Sequence, residues 1–228
     1  GEGNAGNLTV NASNVQLIGI SQDDQFITLL STQSGLGSRP ELNTNTLGDG
    51  GDLTINTDIL QVEDGAEVGA EGFGEGRAGN LIINADSIRL NNNGLLTANT
   101  VSNRVNPERQ QATISINVQD LILRNFSGIT TNAAGENVPG GDINIDSGVI
   151  LALENSDISA NSANSLGGNV NIITQGIFGT QFREQVTDFS DITATGADSE
   201  SSGSVTIDGL EQNPAETLTQ LPSVPVEG

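Results

Sequence analysis

The stretch Gly48-Asp49-Gly50-Gly51-Asp52-Leu53-Thr54-Ile55-Asn56 decides the fold. From Gly51 it reads small, small polar, apolar, polar, apolar, polar. The pattern recurs at Gly6-Asn7-Leu8-Thr9-Val10-Asn11, Gly79-Asn80-Leu81-Ile82-Ile83-Asn84 and Ala112-Thr113-Ile114-Ser115-Ile116-Asn117. It returns at Gly141-Asp142-Ile143-Asn144-Ile145-Asp146, Gly168-Asn169-Val170-Asn171-Ile172 and Gly203-Ser204-Val205-Thr206-Ile207-Asp208. The opening residues lie 45, 28, 33, 29, 27 and 35 residues apart. Self-similarity at such a period marks a repeat architecture.

Within each copy two apolar residues flank one outward residue, so the segment is a strand with one buried face. The two inward positions are Leu, Ile or Val in all seven copies. Independent strands have no reason to agree; stacked layers of one core do. A second strand follows at Val15/Leu17, Leu60/Val62, Ile88/Leu90, Leu121/Leu123, Leu151/Leu153 and Ile177/Phe178. A shorter third strand follows at Val68-Gly69-Ala70, Leu96-Thr97-Ala98, Ile129-Thr130-Thr131, Ile158-Ser159-Ala160 and Ile192-Thr193-Ala194. Gly and Asn are too frequent for long helices. The expected fold is all-β: a right-handed parallel β-helix of about seven coils with three short strands per coil. The handedness follows from the usual sense of parallel crossovers. Seven coils about 4.8 Å apart make a rod on the order of 35 Å long.

The β-helix is expected over residues 1–208, with an insertion loop at 21–47 and an extended coil at 176–190. A Pro-containing tail, 209–228, follows; Pro214, Pro222 and Pro225 resist β pairing. Asn11, Asn56, Asn84, Asn117 and Asp146 share one position, five residues after the opening residue, and are the expected structural ladder. Stacked amides can bond along the axis, whereas a carboxylate only accepts and breaks the run. The opening glycine is expected to supply a positive φ or a close coil-to-coil approach. Ala112 departs from it, so register is least secure there.

The formal net charge is -22, from 7 Lys plus Arg against 29 Asp plus Glu. Such a surface repels nucleic acid and anionic headgroups. No apolar run nears the ~20 residues of a membrane helix, so neither nucleic acid nor membrane insertion is expected. The chain holds no Cys, His or Met. That removes disulfides, the usual zinc, copper and haem ligands, and Ser-His-Asp or Cys-His catalysis. No cofactor is expected.

Four features invite chemistry. Asp23, Asp24, Phe26 and Arg39 lie in the 21–47 stretch, the candidate interaction loop; as a catalytic pair, Asp23-Asp24 lacks clustered Arg, Lys or His beside it. The acidic Gly48–Asp52 run suggests calcium, but Asp recurs once per coil rather than at the short period of calcium-binding β-rolls. Outward Thr9, Thr54 and Thr206 suggest an ice-binding array, which Ile82, Ser115, Asn144 and Asn171 interrupt. Phe178, Phe182 and Phe189 form either a partner patch or a plug over the core, and the plug is the expectation.

The repeats resemble the filamentous-haemagglutinin-like exoproteins of two-partner secretion, in their cyanobacterial form. The resemblance rests on Gly50-Gly51-Asp52-Leu53-Thr54-Ile55-Asn56, Asp157-Ile158-Ser159-Ala160-Asn161, Ile177-Phe178-Gly179-Thr180-Gln181-Phe182-Arg183-Glu184-Gln185 and Ser190-Asp191-Ile192-Thr193-Ala194. It implies a right-handed β-helix, export through an outer-membrane β-barrel transporter, and a secreted or cell-surface location. It implies roles in adhesion, with a glycan or cell-surface ligand as possible partner. The family's N-terminal secretion domain has no match here, so the chain is expected to be a piece from the C-terminal part of the family's β-helix. The expected function is a non-enzymatic shaft that presents or spaces binding regions. The rival expectation is a β-helical polysaccharide lyase or hydrolase using surface carboxylates.

Overall fold

The structure, a computed structural model, describes residues 3–19, 27–35, 47–101 and 111–209. Its strands in chain order are β1 (Leu8–Asn11), β2 (Asn14–Ile18), β3 (Leu29–Ser31), β4 (Leu53–Glu63), β5 (Glu67–Gly69), β6 (Leu81–Asn91), β7 (Leu95–Thr97) and β8 (Thr113–Arg124). Then come β9 (Gly128–Thr130), β10 (Asp142–Ala152), β11 (Asp157–Ser159), β12 (Asn169–Phe178), β13 (Gln181–Phe182), β14 (Asp191–Thr193) and β15 (Ser204–Gly209). Among the described residues there is no α-helix, only a 3-10 turn at Ser199–Ser201.

All pairings between named strands are parallel. One sheet stacks β1-β4-β6-β8-β10-β12-β15, with β2 beside β4; the other stacks β13-β14-β11-β9-β7-β5-β3. The chain is a parallel β-helix. The repeat alignment read from the sequence is the observed register: Leu8 pairs with Leu53, Leu53 with Leu81, Leu81 with Ile114, Ile114 with Ile143, Ile143 with Val170 and Val170 with Val205. The coil opened by Ala112 keeps that register. The inward residues of the middle layers, such as Leu53, Ile83, Ile114 and Ile143, have no exposed surface. At the first described layer Leu8 is 37% exposed, and at the last Val205 and Ile207 are only partly buried. Each end layer has one neighbour among the described residues, against two for a middle layer.

The opening glycine serves close approach. A Cβ on Gly79 would overlap the carbonyl oxygen of Gly51, and one on Gly168 would overlap that of Gly141. Neither residue has a positive φ. The glycine therefore lets each coil settle onto the carbonyl of the last at ladder spacing.

Three features depart from the expectations. The first and second strands are one bent element of 10–12 residues in the middle coils. Pairing lapses at the bend, where Asp58, Asp86, Gln119 and Gly148 lie outside the register. Buried hydroxyls mend it: Thr57 Oγ1 donates to the Ile59 carbonyl at 3.0 Å, and Thr174 Oγ1 to that of Gly176 at 3.0 Å. Second, the 21–47 stretch is not wholly an outward loop. Its residues Leu29–Ser31 are β3, paired with β5 as the third side of the first coil, and Ser34 bridges Gly72. Third, Leu151, Leu153 and Phe178 are not core residues: Ile150, Ala152 and Ile177 lie in the inward row, in register with Leu121 and Leu123, while Phe178 faces out and is 36% exposed. Of the tail, only Gly209, the end of β15, falls among the described residues.

Candidate functional site

Polar side chains are organised by the coil period, so any site must be built from rows. The asparagine row is real over three layers. Asn84 Nδ2 donates to Asn56 Oδ1 at 2.8 Å, and Asn56 Nδ2 to Asn11 Oδ1 at 2.8 Å. Asn117 and Asp146 stand next in register, but no side-chain hydrogen bond continues the run to them among the described residues. Asp146 can only accept when ionised.

Two stronger rows escape a reading of the sequence that concentrates on strand interiors. At the position directly after the opening residue, a side-chain oxygen accepts the backbone N–H one coil onward. Asp52 N donates to Asn7 Oδ1 at 2.9 Å, Asn80 N to Asp52 Oδ1 at 2.9 Å, Thr113 N to Asn80 Oδ1 at 3.0 Å and Asn169 N to Asp142 Oδ1 at 3.1 Å. Just after the third strand, Asn132 N donates to Asn99 Oδ1 at 2.7 Å, Asn161 N to Asn132 Oδ1 at 2.8 Å and Thr195 N to Asn161 Oδ1 at 2.7 Å. A backbone donor at a corner needs a partner, and these oxygens provide it in register. The recurrence of Asn or Asp at a fixed place in each coil was the available signal.

The acidic Gly48–Asp52 run is drawn into the same role. Asp49 accepts the backbone N–H of Arg77 at 3.1 Å and faces its guanidinium, and Asp52 accepts from both nitrogens of Asn80. No group of three or more acidic residues placed to hold a metal ion occurs among the described residues. Asp23, Asp24, Phe26 and Arg39 lie outside the described residues.

The C-terminal end holds the densest polar cluster. β13 precedes β14 in the chain but lies beyond it in the stack, pairing Gln181 with Asp191 and Phe182 with Ile192. It fills the place of a seventh layer in that sheet. The connection is fastened by Asp191, whose side chain is fully buried. Asp191 takes an ion pair from Arg183 and hydrogen bonds from the Thr187 backbone N–H at 2.5 Å and its hydroxyl at 3.0 Å. Arg183 also donates to the Ser190 carbonyl at 2.9 Å and lies 5.3 Å from the centroid of the Phe189 ring. Beneath it Asp157 accepts the Asp191 N–H at 2.8 Å; burial pushes the Asp157 carboxyl above its ordinary range. Phe182 and Phe189 are 49% and 67% exposed, so neither plugs the core. An open recess of about 460 Å³ lies at this end, lined by Phe182, Arg183, Val186, Thr195, Asp198 and Gly203 among others.

One carboxylate pair stands apart from the bonding rows. Burial and the neighbouring Glu67 push the Glu71 carboxyl up to about 8, against hydrogen bonds from Thr97 and Asn99 that favour ionisation. Thr97 Oγ1 donates to Glu67 Oε1 at 2.9 Å. Glu67 opens β5 and Glu71 follows the strand by two residues, so burial and a like charge beside it both favour the neutral form of Glu71.

Comparison of the chain with known protein families, with curated proteins and with solved structures finds no match.

Proposed function

We propose that the chain is a non-enzymatic shaft segment of a secreted, surface-associated adhesin-like protein, of the filamentous-haemagglutinin kind exported by two-partner secretion. One observation carries this reading: most described Asn and Asp bonds run from one coil to the next rather than converging on a pocket. Oxygens engaged as corner acceptors make a rod and leave little for substrate chemistry. The resemblance of the repeat phrases supplies the export route, with an outer-membrane β-barrel transporter as partner and the cell surface as location. A glycan or another cell-surface component is the ligand class that fits adhesion.

A shaft tolerates loss of a whole coil. Deleting residues 141–167, one repeat, should leave a folded rod shortened by about 4.8 Å. The shortened and full chains, coated on beads, should attach equally to cell-surface glycans. Collapse of the fold, or cleavage products from a panel of acidic and neutral polysaccharides, would overturn the reading.

The Glu67–Glu71 pair favours a second reading, polysaccharide cleavage, because a carboxyl protonated near neutrality suits a general acid. That reading requires turnover on such a panel and its loss in Glu71→Gln.

A further inference from the structure

The sheet that runs from β3 to β13 is concave on its outward side. Thr97 alternates with the core residues Leu96 and Ala98, and Ser159 with Ile158 and Ala160, so both side chains point away from the core. Yet they are only 2% and 6% exposed. The cause lies just past the strand. Gly79 N donates to the Ala70 carbonyl at 2.8 Å and Gly168 N to that of Ala160 at 2.7 Å, so residues 71–78 and 161–167 leave the core and return to it. These loops stack in turn, bridged in register at Gly72, Thr100, Ala133 and Ser162. Sheet and loops meet in a groove that runs along the rod. At its C-terminal end Arg183 and Thr187 close over Asp191.

The groove repeats one set of groups per coil. On its floor Thr97, Thr130 and Ser159 stand in register. On the loop side Asn99, Asn132 and Asn161 form the next row. Asn132 lies between the buried Thr131 and Ala133, and Asn161 between the buried Ala160 and Ser162, so both side chains face the groove. Each Oδ1 accepts a backbone N–H of the following coil, which fixes the orientation of the amide. The Nδ2 donors of Asn132 and Asn161 then have no partner among the described residues, and neither has Ser159 Oγ. Phe73, Val101, Ala134 and Ala163 form an apolar outer row on the loops, where Val101 N donates to the Gly72 carbonyl at 2.9 Å and Ala163 N to that of Ala133 at 3.0 Å. A buried hydroxyl and two pinned amide donors are costly to leave unpaired, and a ligand that brings oxygen acceptors satisfies them.

Step and charge identify the occupant. The amide donors recur once per coil, about every 4.8 Å. An extended peptide presents same-side carbonyls about every 6.6–6.8 Å and falls out of step. An extended chain of pyranose rings advances by close to one coil per ring. Its edges carry oxygens for the amide row, and its C–H faces suit the apolar outer row. Glu67, Glu71 and Asp157 border the groove and the net charge is -22, so an anionic chain is repelled. We propose that this groove binds an extended neutral polysaccharide lying along the rod, one sugar ring per coil. The proposal rests on the reading of a glycan as ligand, and gives that ligand a site and a chemical class.

Calorimetric titration of the full chain with cello-, xylo- and manno-oligosaccharides of increasing length tests the proposal. Affinity for at least one series should rise with each added ring until the chain spans the amide row, and oligogalacturonates should bind far more weakly. The double substitution Asn132→Asp, Asn161→Asp keeps both corner acceptors, a task that Asp52 and Asp142 perform in the companion row, but removes both donors. It should leave the melting temperature unchanged and weaken binding roughly tenfold. Ala134→Trp, on the exposed outer row, should tighten binding several-fold and decides alone if the double variant does not fold. No binding, an affinity independent of length, preference for an extended peptide, or indifference to these substitutions overturns the groove. Bead attachment is multivalent and barely registers the one step lost with residues 141–167, so it tests the adhesin reading separately. Cleavage of the bound chain would uphold the groove and overturn its non-enzymatic role.

Discussion

Arg183 forms an ion pair with Asp191, eight residues later, and Asp191 has no exposed surface. The pair closes the connection that places β13 beyond β14, so it fastens the end of one sheet. Removing the arginine leaves a carboxylate buried, with Thr187 and the Ser190–Asp191 backbone around it. Breaking a buried pair from one side costs roughly 3–5 kcal/mol when nothing else compensates. Thr187 still donates twice, so Arg183→Met should cost about 2–3 kcal/mol by denaturant unfolding. Amide exchange should accelerate first over residues 181–193. An unchanged midpoint would mean that the connection is held by its other contacts.

The Glu67–Glu71 pair predicts a stability that falls as pH rises. Glu71 titrates near 4.5 in a free carboxyl and near 8 when folded. Between these values the folded state holds the extra proton, so unfolding releases it and becomes easier as pH increases. The loss begins above about pH 4.5 and is complete just above pH 8. Glu71→Gln should flatten that slope and stabilise the chain at pH 8 by on the order of 2–4 kcal/mol, given the few pK units at stake. Melting temperatures of both chains across pH 5–9 check this; parallel curves would show that Glu71 does not cause the slope.

The coil stack was legible because its signal is repeated. Fourteen inward positions carry Leu, Ile or Val, and the observed pairs follow that alignment, including across Ala112. Features set by one coil alone were not legible. β3 hides in a repeat of 45 residues, where nothing in Leu29-Leu30-Ser31 marks it as strand rather than loop. β13 is two residues long, and its place beyond β14 depends on Arg183 reaching Asp191. Leu151, Leu153 and Phe178 read as inward because Ile150-Leu151 and Ile177-Phe178 are adjacent apolar pairs, and strand parity there needs the register of Ile150 with Leu121 to resolve. The rows headed by Asn7 and Asn99 were visible as recurrent Asn and Asp, but their role depends on which backbone donors the corners leave open.

The opening glycines should be graded by their neighbours. Gly79 and Gly168 face a carbonyl of the preceding coil, whereas no atom lies within 4 Å of a Cβ built on Gly6. Gly79→Ala and Gly168→Ala must push two coils apart or break ladder bonds, at about 1–3 kcal/mol or more. Gly6→Ala should stay within about 0.5 kcal/mol of the parent. Urea midpoints of the three variants settle the order; equal effects would point to glycine's backbone freedom rather than contact with the next coil.

The turns after β4, β6, β8 and β10 each use two left-handed residues: Asp64-Gly65, Asn92-Asn93, Asn125-Phe126 and Glu154-Asn155. The second place is Gly65 in one coil and Asn93 in the next, residues that accept this conformation at low cost. Phe126 occupies the same place with φ 63 and is 61% exposed, so it carries strain with little burial in return. A left-handed conformation costs an ordinary side chain about 1–2 kcal/mol. Phe126→Gly relieves it but frees the unfolded backbone, for a net gain of roughly 0.5–1 kcal/mol. Phe126→Asn should gain a similar amount without the added freedom, and both should raise the unfolding midpoint. If both instead lower it, the ring makes contacts that outweigh the strain.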